Sequence, residues 1–282
     1  MGTTRLSAEG AVGRGLSPGI WQQYGFIGGD LDDPSKRPFF FDDFTKLGVM
    51  ASATSQGGVI TYQDAGVTIQ QAAAADNSEG EFGVLEFSHD GTAHDEGSIE
   101  LGGGTSGLVA ISATALSRNV VAAEARVKVT TVAVGGCCLV FGLAEPGAAA
   151  ADLIVDTTGA LVVKDFVGFQ TLLTSNSEID AVYAIAGGAL AQVQDNAGTL
   201  VSDTWIKLGV VYDPFAEPNK KMKYFINGVE LGGSVTDAII TAGTAFPTGE
   251  ELTLVLGTKI LTASAATAYA DWWAVGSYNV DS

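Results

Sequence analysis

The sequence predicts an all-β chain, a single β-sandwich domain preceded by an extended N-terminal arm, and three observations carry that expectation. Glycine is abundant, at 37 of 282 residues, while charged residues make up only 16%, below the quarter usual in soluble domains. Apolar and polar residues alternate over many short stretches, with no heptad pattern or long helical stripe between them. The length suits one large sandwich with an appendage.

Residues 1–38 form the arm, because they lack strand alternation and are punctuated by glycines and by Pro18, Pro34 and Pro38. The arm is not a polar tail. Leu16, Ile20, Trp21, Tyr24 and Phe26 are apolar anchors that need a surface to lie on, and they are the expected partner-binding residues. Proline and charge in "DLDDPSKRP" (Asp30–Pro38) mark the hinge where the arm leaves the body. The body, residues 39–282, opens with "FFFDDF" as a strand. Phe39 and Phe41 share one face and Phe40 takes the other, so one set enters the core while the other covers the root of the arm or a neighbouring subunit.

Further along, "RNVVAAEARVKVTTVAV" (Arg118–Val134) and "TWIKLGVVYD" alternate strongly, and "CCLVFGLAE" is a short apolar run ending in a turn. In "MKYFINGVEL" two strands flank Asn227-Gly228, residue types that tolerate the positive φ of a tight hairpin. "AYADWWAVGSYN" closes the chain, with Trp272 and Trp273 on opposite faces and one of them a candidate for exposure; Trp205 reads as core. Helix is expected only in short pieces. Cys137 and Cys138 are adjacent, so a normal disulfide between them is awkward; one is expected in the core and the other facing out.

The net charge of −18 falls entirely on residues 38–282, since residues 1–37 hold four bases and four acids. An acidic body repels polyanions, so nucleic acid is not an expected partner. No apolar run reaches the length of a membrane span, and the N-terminal stretch lacks the apolar core of an export signal, so synthesis in the cytoplasm without membrane insertion is expected.

Taken in order, "FFFDDF", "AEARVKV", "LVFGLAE", "WIKLGVVYD", "KYFINGVEL" and "ADWWAVGSYN" resemble the strands of the concanavalin-like (LamG-type) jelly roll, over most of residues 39–282. The arm segments "GLSPGIW" and "DPSKRPFFFDDF" resemble the start of virion structural proteins of tailed bacteriophages. That second resemblance implies a capsid decoration (cement) protein on the virion exterior. Its partner would be the major capsid protein, and a homo-oligomer, a trimer in preference to a dimer, would be expected.

Glycosidases of the jelly-roll family carry a strand motif Glu-x-Asp-x-(x)-Glu. "SEIDAVY" (Ser177–Tyr183) matches it at Glu178 and Asp180, but the third position is Val182 or Tyr183, so the proton donor that retaining hydrolysis needs is missing. His89 and His94 lie among Asp90, Asp95 and Glu96 in "SHDGTAHDEGS", at a spacing that suits neither a helix nor a strand for metal ligation, and a polar rim loop is expected there. Oxygen ligands for calcium are present in Asp195–Asp203 and Asp213–Asn219 without EF-hand spacing. "GGGTSG" (Gly102–Gly107) has no following helix or lysine and reads as a turn rather than a phosphate loop. The sequence therefore predicts no catalytic residue, metal or cofactor. It leaves two functional expectations: a structural decoration protein whose arm binds the shell and whose body stays folded and soluble after deletion of residues 1–30, or, alternatively, a carbohydrate-binding module or fibre-like adhesin, with a glycan as partner.

Overall fold

The computed structural model describes residues 15–26, 39–45, 55–56, 58–73, 83–102, 104, 106–112 and 119–279. Sheet A runs β15 (Val229–Val235), β14 (Met222–Ile226), β13 (Ile206–Tyr212), β8 (Asn119–Val129), β17 (Ala266–Asn279), β5 (Leu85–His89) and β4 (Val67–Gln71). The predicted opening strand is β1 (Phe39–Asp42), which pairs with β17. Sheet B runs β12 (Ala191–Thr199), β11 (Ser175–Ala184), β10 (Phe166–Leu172), β9 (Cys137–Ala144), β16 (Glu251–Ile260), β6 (Glu96–Leu101), β3 (Val59–Gln63) and β2 (Ser55–Gln56). A short β7 (Val109–Ala110) adds to β16. All pairings are antiparallel, and the Asn227-Gly228 hairpin forms as expected, with φ of 52° and 75° at its two turn residues.

The inward residues of both sheets, among them Phe87, Phe141, Phe169, Leu208, Tyr224, Leu254 and Trp273, form the main core. Half-buried strands would then turn polar residues to water. Several central strands do not: β9 is buried at every residue, and β8 and β16 are buried at nearly all of theirs. Each sheet is consequently covered a second time, on its outer face.

Over sheet A the cover is the arm. Pro18 opens a single helical turn, α1 (Pro18–Trp21), a position where its missing N–H costs nothing. Leu16, Ile20, Trp21, Tyr24 and Phe26 are buried against Val120, Ala122, Val211, Phe225, Trp272 and Ala274. Trp21 meets Phe26 and Phe39 edge-on at 5.3 and 5.1 Å, and Phe26 meets Tyr278 at 5.1 Å. Gly276 makes room for this packing, since a Cβ there would lie 2.7 Å from the Phe26 ring. Several polar groups are matched as well. Glu124 Oε2, wholly buried on β8, accepts the Ser17 backbone N–H at 3.0 Å and the Trp21 indole N–H at 2.7 Å. Lys207 Nζ donates to the Gly15 carbonyl, and Lys223 Nζ donates to the Tyr24 hydroxyl at 2.6 Å.

Several expectations change as a result. The five arm residues expected to reach a partner lie on the chain's own sheet, because the sheet's outer face is itself apolar and carries a glutamate that takes the N–H groups of Ser17 and Trp21. Phe40 packs against the main core, while Phe41 joins the arm cluster beside Trp272, which settles which set covers the arm's root. Trp272 and Trp273 do take opposite faces, but both are fully buried. Trp205 is buried beneath Arg126 and Lys128, whose cationic groups lie 4.4 and 4.8 Å from its ring centre. Cys137 enters the main core as expected, whereas Cys138 faces outward yet is buried under a loop on sheet B, and burial pushes both thiols up. Apart from α1, the one α-helix described is short, α2 (Asp237–Ala242), capped by the Thr236 hydroxyl and ended at Gly243 with φ of 60°. Among the described residues no helix is long and apolar enough to cross a membrane.

Deletion of residues 1–26 is therefore expected to expose Val211, Phe225 and Trp272 and to give an aggregating or strongly destabilised body, in contrast to the soluble body anticipated from sequence. The single change Trp21→Ala should cost about 3–5 kcal/mol, as for other buried tryptophans. Denaturant unfolding of the full chain and the variant measures this; an unchanged midpoint would show that the arm is not part of the folded unit.

Candidate functional site

Strand β11 carries the "SEIDAVY" segment, and its alternation resolves which residue takes the third position. Ile179, Ala181 and Tyr183 point into the main core, Tyr183 packing on Phe246 at 5.5 Å. Glu178, Asp180 and Val182 therefore share the outer face of sheet B. Val182 is fully buried there with Val140, Phe166 and Val255, so an isopropyl group stands where a hydrolase would carry its acid. Asp180 Oδ1 accepts the Asn196 backbone N–H at 3.0 Å. Burial raises the Asp180 titration, the Asn196 N–H opposes that, and the neighbouring Asp195 raises it further.

Asp180 lies in a cleft of about 430 Å³ on this outer face. Gln170, Asp180 and Val182 on the strands make its floor. Thr157, Thr158 and Ala160 form one wall, Leu190 and Gln192 the other, and Leu172, Leu173 and Thr174 of the β10–β11 turn complete it. The lining presents a carboxylate, two carboxamides and three hydroxyls between leucine side chains, and Asp180 is its one ionisable group. The walls are tied to the floor: Leu161 N donates to Gln170 Oε1 at 2.9 Å and Leu173 N to Thr158 O at 2.8 Å. On the far side, Ala186 N donates to Asp165 Oδ1 at 2.8 Å, and Gln192 Nε2 donates to Asp195 Oδ1 at 3.0 Å.

The first wall belongs to residues 145–165, which cover the remaining outer face of sheet B. Their anchors are two glutamates four residues apart on β6, a spacing that puts both on one face. Glu96 accepts Leu153 N at 2.7 Å and Ile154 N at 3.0 Å; Glu100 accepts Gly147 N at 2.8 Å and Ala149 N at 3.0 Å. Lys259, fully buried on β16, donates to the Ile154 carbonyl at 2.9 Å and reaches Glu96 at 3.3 Å and Asp156 at 2.5 Å. Burial raises the Glu96 carboxyl to about 7, against the pull of its N–H donors and Lys259.

The other candidates do not assemble into a site. His89 turns inward, its Nε2 3.0 Å from Thr258 Oγ1, and burial lowers it to about 4; His94 sits apart in the loop with φ of 71°. Asp213 Oδ1 accepts the N–H of Phe215 at 2.8 Å in a local turn. Among the described residues no group of three or more His, Cys, Asp or Glu side chains is disposed to hold a metal ion. Gly102 and Gly104 take φ of 97° and 75°, in keeping with a turn. Gln170, Gln192, Thr157 and Thr158 carry no motif and were not foreseen. The acid pair in "EGSIEL" was a readable signal, because two glutamates at strand spacing in a buried strand require N–H partners.

No protein-family model and no curated protein sequence matches the chain. Solved structures do. The endo-1,3-β-glucanase from Streptomyces sioyaensis is similar with a TM-score of 0.51 at 13% identity, covering 88% of this chain and 98% of that one. Peanut lectin gives 0.52 at 12% identity, over 86% and 97%, and basic winged bean lectin gives 0.53 at 12% identity, over 86% and 98%. The fold is thus the concanavalin-like jelly roll that the strand order suggested.

The Glu96 shift has a definite sign. A carboxyl raised from 4.5 to about 7 on folding takes up a proton in the folded state, so its contribution to stability is complete below 4.5 and is lost as pH rises through about 7. Lys259, raised by Asp156 and Glu96 against the opposing effect of burial, stays charged throughout that window. The stability of the native chain relative to Glu96→Gln should therefore fall between pH 4.5 and 7.5, with a slope of at most ~1.4 kcal/mol per pH unit. Parallel pH profiles of the two proteins would show that Glu96 does not titrate in this way.

Proposed function

We propose that the chain is a non-catalytic carbohydrate-binding jelly-roll module that holds a neutral saccharide in the Asp180 cleft. The observation that carries this reading is the cleft's lining, a carboxylate steadied by a backbone N–H among amides and hydroxyls, with Val182 in place of a second acid. A carboxylate and carboxamides accept and donate to adjacent sugar hydroxyls, and leucine edges cover the C–H faces of the ring. A neutral ligand is favoured because the lining's single charge is negative and the chain carries −18 overall. The lectins of this fold support the reading by analogy of architecture.

The decoration role is the second reading, favoured by the concentration of negative charge on the body. In it the chain, as a homotrimer on a virion exterior, would bind the major capsid protein. Leu16, Ile20, Trp21, Tyr24 and Phe26 are engaged on sheet A, so that contact would fall to other surfaces. Cosedimentation with undecorated shells separates the two readings.

A glycan array followed by calorimetry tests the proposal. The native chain should bind neutral glycans, Gln192→Ala should weaken binding ~3–10-fold through lost hydrogen bonds, and Asp180→Asn should weaken it more. Because the Asp180 titration is raised, affinity should drop on acidification earlier than an ordinary carboxylate would dictate, and Asp180→Asn should flatten that dependence. A blank array, or binding indifferent to both substitutions, would overturn the assignment.

A further inference from the structure

The reach of the cleft across sheet B follows from what covers the neighbouring strands. On an uncovered sheet face a linear polysaccharide can lie across all the strands, so that affinity grows with each sugar that finds a contact. Here the strands next to β10 are closed off. Cys138 and Val140 on β9, Val255 and Lys259 on β16, and Glu96 and Glu100 on β6 are all buried beneath residues 145–165.

That cover is a fixed wall by its bonding. Four backbone N–H groups of the segment go to two buried carboxylates, Lys259 Nζ takes the Ile154 carbonyl, and Gln170 takes Leu161 N. Leu153 sits so close to β16 that a Cβ on Gly257 would lie 2.7 Å from its side chain. Opposite, Leu190 packs against the same outer cluster and the preceding residues are held by Asp165. A saccharide on Asp180 meets Thr157 and Thr158 on one side and Leu190 on the other. The volume of about 430 Å³ is at the small end of ligand sites, roughly 300–1,000 Å³.

We infer that this cleft recognises the ends of neutral glycan chains, about one or two sugar units, rather than internal stretches of a polysaccharide. The inference rests on the carbohydrate-binding reading and adds the size and position of the epitope. Its basis is the wall over β9, β16 and β6, which closes that side of the sheet to a third or fourth sugar, with Leu190 standing opposite.

The experiment uses the full native chain and calorimetry with gluco-, galacto- and manno-oligosaccharides of one to six units. In parallel, pull-down is measured on the corresponding insoluble polymers before and after partial endo-hydrolysis, which multiplies chain ends at constant mass. Affinity should rise from one unit to two and then stay within about twofold up to six, and polymer capacity should rise severalfold with the number of ends. An affinity that climbs tenfold or more between two and six units, or a capacity indifferent to new ends, would overturn end recognition while leaving the module a carbohydrate binder. Failure of every saccharide and polymer to bind would overturn the carbohydrate reading itself, and end recognition with it.

Discussion

Hydrogen bonds donated by backbone N–H groups to buried glutamates hold this molecule in its final form. A sandwich whose strands are apolar on both faces must be covered outside as well as inside, and the covering segments here are too short and irregular to satisfy their own N–H groups. An unpaired buried N–H costs as much as a lost hydrogen bond or more. Glu124 on sheet A, and Glu96 and Glu100 on sheet B, remove that cost by accepting N–H groups of the arm and of residues 145–165. Burial raises all three carboxyls, so each works against its own desolvation. The bonds are favourable because several donors converge on each acid, and because the alternative is an exposed apolar sheet.

The same arrangement explains the glycines on the outer faces. Phe26 fits over Gly276, and the Phe166 ring reaches across the paired Gly142 and Gly168, whose missing side chains would lie within 2.8 Å of it. A side chain at Gly276 would lift the arm, and one at Gly142 or Gly168 would displace the Phe166 ring. Glutamate acceptors and close glycine contacts thus favour one placement of each cover, where apolar contact alone would allow it to slide.

Much of the body was legible in the sequence, because strand alternation, the Asn-Gly hairpin and the paired tryptophans are local signals. The outer layers were not. Glu124, Arg126 and Lys128 alternate with apolar residues in β8, a pattern that on a half-buried strand turns to solvent, yet Glu124 and Arg126 are buried. The partner of Trp21 is Glu124, 103 residues away, and no spacing rule reaches that far. The arm's aromatic residues were correctly seen to need a surface; sequence alone offered no way to choose between the chain's own sheet and a neighbour. In the candidate site, Glu178, Asp180 and the missing acid were legible from one strand. Thr157, Gln192 and Leu190 come together only when the covering hairpin folds down, so the cleft's size was not.

Cover and cleft are two consequences of one distribution of side chains on sheet B. Where outward positions are apolar or carry an anchoring glutamate, as on β6, β9 and β16, a segment of the chain lies over them. Toward β11 and β12 the outward residues become Asp180 and Gln192, and the acids there bind single N–H groups, Asp165 that of Ala186 and Asp180 that of Asn196. The sheet is open at that point between its two walls, and the groups on its floor are of the kind that bind hydroxyls. The boundary between the two regimes is the Gln170 amide, which ties down the last turn of the cover at Leu161 and also lies on the floor of the cleft. A displacement of Gln170 would release Leu161 N, so the floor of the cleft is physically coupled to the seating of the segment that limits it.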